Sequence, residues 1–86
     1  MTTNELKKLI ESGDIELITF FAGFKAMEDE KPTWEVFGYG SKIVSSFGEC
    51  LKNSSRKETN KHYTSLDRAY SEIKQLGYKG KIEIDG

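Results

Sequence analysis

The chain has 86 residues, 36% of them hydrophobic and 31% charged, with a formal net charge of −1. That length holds one core and no second domain, and a composition with 12% aromatic residues argues against disorder. The near-neutral balance supplies no overall attraction to nucleic acid, and the single cysteine, Cys50, excludes an intramolecular disulfide.

The opening predicts a helix over residues 3–12. Thr2 and Glu5 have the spacing of a capping box, in which each side chain satisfies a free backbone N–H of the other. Leu6, Leu9 and Ile10 share one face, and Gly13 stands where a helix closes. Residues 15–26 predict a long strand, rich in β-branched and aromatic residues. Ile18, Phe20, Ala22, Phe24 and Ala26 fall on one face, with Leu17, Thr19 and Phe21 on the other. Apolar residues on both faces imply a strand covered on both sides for part of its length. A charged turn holding the only proline, Pro32, leads to a second strand over 33–39. There Trp34 and Val36 share one face, and Glu35, Phe37 and Tyr39 the other.

Residues 41–53 fit a helix or a strand, and the three serines with Gly48 favour the strand. Asn53-Ser54-Ser55 then predicts a turn, and residues 57–64 a short polar edge strand ending on Tyr63. A second helix starts on a Thr64 or Ser65 cap. Its apolar stripe is Leu66, Ala69, Tyr70, Ile73 and Leu76, and Gly77 stops it. Residues 79–85 close with a strand that turns Ile82 and Ile84 inward. The expected fold is therefore α+β in a single domain: an antiparallel sheet of three to five strands covered by two helices, in the order α-β-β-β-(β)-α-β.

No catalytic, cofactor or metal pattern emerges. One His, His62, and one Cys, Cys50, cannot make a structural zinc site, and no local signature makes them a nucleophile and base. The acidic run Met27-Glu28-Asp29-Glu30 lacks the spacing and glycine of a calcium loop. Gly38-Tyr39-Gly40-Ser41-Lys42 lacks the full phosphate-binding fingerprints, and a bulge or bend explains its glycines. No apolar run reaches the roughly 18 residues of a membrane span. The first turn, with Asn4, Glu5, Lys7 and Lys8, is unlike a secretory leader. The expectation is a cytoplasmic protein from a reducing compartment, with no membrane association and no cofactor.

Two binding surfaces follow from composition. Trp34, Phe37, Tyr39 and Tyr63 are aromatics beyond the needs of a two-helix cover. They predict a protein-binding surface, for another protein or for a homodimer. Lys52, Arg56, Lys57, Lys61 and His62 fall in eleven residues with one acid, Glu58, and make the alternative, a nucleic-acid-binding segment. Lys79 and Lys81 would join it if the last strand lay near. The charge is uneven: residues 1–35 hold eight acids and four bases, whereas residues 36–86 hold six acids and nine bases.

The element order is similar to that of the double-stranded-RNA-binding domain, which carries a basic cluster at the start of its second helix. Here Ser65-Leu66-Asp67-Arg68 stands instead. The segment Tyr63-Thr64-Ser65-Leu66-Asp67-Arg68-Ala69 through Leu76-Gly77-Tyr78, about a quarter of the chain, resembles the ends of small accessory proteins of bacterial mobile DNA: plasmids, phages and integron cassettes. That resemblance implies an accessory protein and carries over no functional residue. The sequence thus points to a non-enzymatic accessory protein acting through protein–protein binding.

Overall fold

The computed structural model describes residues 1–23, 33–43, 48–53 and 59–85. Helix α1 spans Thr3–Glu11 and begins on the expected capping box. The Glu5 backbone N–H donates to Thr2 Oγ1 at 3.4 Å, and the Thr2 N–H donates back to Glu5 Oε1 at 3.2 Å. Gly13, at φ 77°, lets the chain leave the helix and enter β1, Leu17–Gly23. Strand β2, Thr33–Tyr39, pairs antiparallel with β1 along its whole length, from Leu17 opposite Tyr39 to Gly23 opposite Thr33. Strand β3 is reduced to Glu49–Cys50, antiparallel to β2. Helix α2 spans Leu66–Gln75, with Ser65 Oγ accepting from the Arg68 N–H at 3.0 Å. Strand β4 spans Lys81–Asp85.

The class is α+β, and the helices and strands follow the expected order. The sheet runs β3-β2-β1-β4, with β4 parallel to β1, so it is mixed rather than wholly antiparallel. The reason is topological. The chain leaves the edge of β2 that faces away from β1 at Tyr63, crosses one face of the sheet as α2, and returns at the opposite edge running in β1's direction. A parallel neighbour needs such a crossover, whereas a tight hairpin gives an antiparallel one. The Tyr78 hydroxyl pins the return by donating to the Lys81 carbonyl at 2.6 Å.

Between β3 and α2 the chain makes an excursion from the sheet edge. The Leu51 N–H bonds Val36 O at 2.7 Å; the chain then leaves β2 and folds on itself through an antiparallel bridge between Lys52 and Asn60. It rejoins β2 where Trp34 and Tyr63 exchange two backbone hydrogen bonds, at 2.8 and 2.9 Å. The expected edge strand over 57–64 is thus two isolated bridges among the described residues. Of the strand expected over 41–53, Glu49–Cys50 remains, with Ser41 and Lys42 in a turn; 24–26, 44–47 and 54–58 lie outside the described residues.

Both helices cover the same face. Leu6 from α1 and Ala69 and Ile73 from α2 join Ile18, Phe20, Val36 and Leu51 in one buried cluster. Two expected core positions are corrected. Tyr70 is 47% exposed, because it lies one position off the face of α2 that meets the sheet. Ile84 is 59% exposed: it shares the helix side of the sheet with Ile82 but stands on the outermost strand, beyond the cover of either helix.

Deleting a buried methylene cluster costs its transfer free energy and leaves a cavity. Ile73→Ala should therefore lower stability by about 2–5 kcal/mol. Tyr70→Ala, three residues earlier on the same helix, should change it by no more than about 0.5 kcal/mol. Urea denaturation of the two variants checks both values.

Candidate protein-binding surface

Strand alternation divides the four aromatics expected at a binding surface into two pairs. Trp34 and Tyr63 lie on the helix side: Tyr63 is 4% exposed and belongs to the core, and Trp34 packs against it. Burial, and then the nearby Glu72 carboxylate, push the Tyr63 hydroxyl's pKa up. Phe37 and Tyr39 lie on the other face, where neither helix lies. The structure therefore brings Phe37 and Tyr39 together and separates them from Trp34 and Tyr63.

The helix-free face can be built row by row from the register. Phe21 on β1 stands between Glu35 on β2 and Asp85 on β4. Thr19 stands between Phe37 and Glu83, and Leu17 between Tyr39 and Lys81. Cys50 extends the second row beyond Phe37. Phe21 and Phe37 meet edge to face, with ring centroids 5.1 Å apart and planes at 82°. That arrangement sets the positive rim of one ring against the negative face of the other. Phe21, Ala22, Glu35, Phe37 and Tyr39 line a shallow concavity of about 420 Å³. Glu35 is held at its edge by Asn60, whose Nδ2 donates to Oε2 at 2.7 Å. Sequence reasoning missed Phe21 and Glu35. Their sharing of a face with Phe37 and Tyr39 was readable from alternation; the side covered by the helices was not.

The basic segment is placed differently. Lys52, Lys61 and His62 are described, and Arg56 and Lys57 lie outside the described residues. Lys61 Nζ is 2.8 Å from Glu72 Oε1 and 5.2 Å from the Tyr63 ring centroid. His62 Nδ1 is 3.3 Å from Thr33 Oγ1. Lys52 lines a small concavity with two carboxylate residues, Glu5 and Glu49. Lys79 and Lys81 do not join them, because β4 occupies the opposite edge of the sheet.

The glycines of the 38–42 segment have a packing explanation. A Cβ on Gly38 would stand 2.6 Å from Met1 Cε, and one on Gly40 would collide with the Asp14 carbonyl. These absent side chains let the turn between α1 and β1 lie against the end of β2, where Lys42 pairs with Asp14 at 3.2 Å. The Ser12 hydroxyl, first, and Lys42 hold the Asp14 carboxyl below its usual pKa. Among the described residues no three His, Cys, Asp or Glu side chains gather as metal ligands, and no helix is long and apolar enough to cross a membrane. Compared with known proteins, the chain matches no family model, no curated protein and no solved structure.

Cys50 is buried against Leu51 O and Glu35. Burial, followed by the Glu35 charge, pushes its thiol up from 9.0 to about 12. The reactive species of a cysteine is the thiolate. At pH 8 the folded protein should resist a thiol-modifying disulfide reagent, and the urea-unfolded chain should react at once. The group's contribution to stability is whole below pH 9.0 and is lost as pH rises toward about 12. Full reaction of the native protein at pH 8 would contradict this burial.

Proposed function

We propose that the chain is a non-enzymatic, protein-binding accessory module that seats its partner on the helix-free face of the sheet. The observation that carries this reading is the Phe21–Phe37 pair, with Tyr39 beside it, half-buried in a shallow concavity whose edge carries Glu35. Aromatic anchors in shallow pockets supply most of the energy of protein interfaces. An apolar patch beside the Glu35 carboxylate, which Asn60 holds in place, is complementary to an apolar or aromatic side chain flanked by lysine or arginine. It repels phosphates, which places the reading on a basic protein segment rather than a nucleic acid.

A displayed peptide library tests this. Peptides that bind the native chain should carry an aromatic or large aliphatic residue next to Lys or Arg. Phe37→Ser should weaken them at least about tenfold, the effect of removing one interface anchor. Amide shifts of a labelled sample should move along β1 and β2 when such a peptide is added. Selection of acidic peptides, or shifts confined to α2, would reject the surface. The same reading predicts no salt-sensitive binding of labelled DNA or RNA at micromolar protein, measured by fluorescence anisotropy.

A further inference from the structure

Strand β4 is the outermost strand beyond β1. It pairs with β1 residue for residue, from Leu17 with Lys81 to Phe21 with Asp85, so one of its edges is used and no bulge interrupts it. Proteins usually protect such an edge with a proline, a bulge, a cover, a short strand or charged side chains, and β4, five residues long with Lys81, Glu83 and Asp85, has the last two. Within Lys81–Asp85 there is no proline, and among the described residues no strand lies beyond it.

The sequence of this edge is antisymmetric in charge. Around Ile82, Lys81 lies on one side and Glu83 on the other, both on the helix-free side of β4, with Asp85 following on that side and Lys79 preceding the strand. Ile82 and Ile84 take the helix side. We propose that two copies of the chain join antiparallel through their β4 edges, centred on Ile82, to form one continuous eight-stranded sheet. In this register Lys81, which pairs with Glu83 of its own strand at 3.3 Å, also faces Glu83 of the second copy. With the symmetric contact, two opposite-charge pairs form between the strands and no like charges meet.

Other registers fail on charge. Centring on Glu83 sets Glu83 against itself; centring on Ile84 sets Glu83 against Asp85; centring on Lys81 sets two lysines face to face. In-register parallel pairing sets every charge against its like, which destabilises a strand pair. A shift to a centre between residues turns the helix side of one copy to the helix-free side of the other.

The helix side gains as well. Ile82 meets Ile82 of the second copy, an apolar pair at the centre of the joint. The helix-free faces of the two copies become continuous, and Glu35 stays beside the aromatic concavity in each.

An edge of five residues is small beside the roughly 1,600 Å² of a standard interface, so the dimer is concentration-dependent. Sedimentation equilibrium of the native chain from about 10 µM to about 1 mM spans the range in which so small an interface saturates. It should show a reversible monomer–dimer equilibrium. Lys81→Glu and Glu83→Lys change exposed side chains, at 72% and 49% exposure, and circular dichroism should show each variant folded. Each should weaken self-association at least about tenfold, because like charges then face each other. A double variant and a mixture distinguish register from overall charge. The double variant Lys81→Glu/Glu83→Lys, with unchanged net charge, should dimerise like the native chain. Equal parts of the two single variants should form a heterodimer. A native chain that stays monomeric at the highest concentration, or a dimer indifferent to these changes, would overturn the proposal. Phe37→Ser should leave the dimer intact, so this outcome is separate from that of the partner-binding surface.

Discussion

The structure depends on β1, an interior strand that carries a ladder of at least five residue pairs along each edge. Leu17–Gly23 bonds β2 antiparallel on one side and β4 parallel on the other, and its Ile18 and Phe20 are fully buried beneath the helices. An interior strand must satisfy its backbone polar groups on both edges. Those two ladders fix the direction of β2 and β4, and through them the places where α1 and α2 dock. The glycines at the end of β2 and the Lys42–Asp14 pair then hold the first turn of chain against this frame.

Much of this was legible in the sequence. The capping box at Thr2 and Glu5 and the stop at Gly13 are local chemistry, set by residues within one turn of each other, and α1 follows them closely. The same holds for the Ser65 cap and the Ala69–Ile73 stripe of α2. Alternation in β2 sorted Trp34 and Val36 from Glu35, Phe37 and Tyr39. What could not be read was long-range. The sense of β4 depends on which edge α2 delivers the chain to, and nothing within Lys81–Asp85 encodes it. Tyr70 and Ile84 matched the apolar periods of their elements but lie at the margins of the covered area, where period and burial part company.

The candidate site shows the same division. The aromatics chosen for their number were split by the pleat of a single strand: Trp34 faces the core, and Phe37, three residues on, faces away from it. Phe21 looked like core because both faces of its strand are apolar. With the helices assigned to the Ile18 and Phe20 side, that second apolar face becomes a surface. The basic cluster was a feature of sequence proximity. In space, Lys61 is paired with Glu72 and supports the junction between the edge excursion and α2.

The parallel junction of β1 with β4 also shapes how the chain reaches its native state. β1 and β2 are neighbours in sequence and pair as a hairpin, but β4 joins only after β3, the edge excursion and α2 have been laid down. Contacts between such distant segments carry a large loop-closure cost before they return any energy, and they slow folding. Until β4 docks, β1 presents an unpaired apolar edge formed by Leu17 to Phe21. The slowest and most aggregation-exposed moment in this protein's folding is therefore the final closing of its sheet, and whatever delays α2 prolongs it.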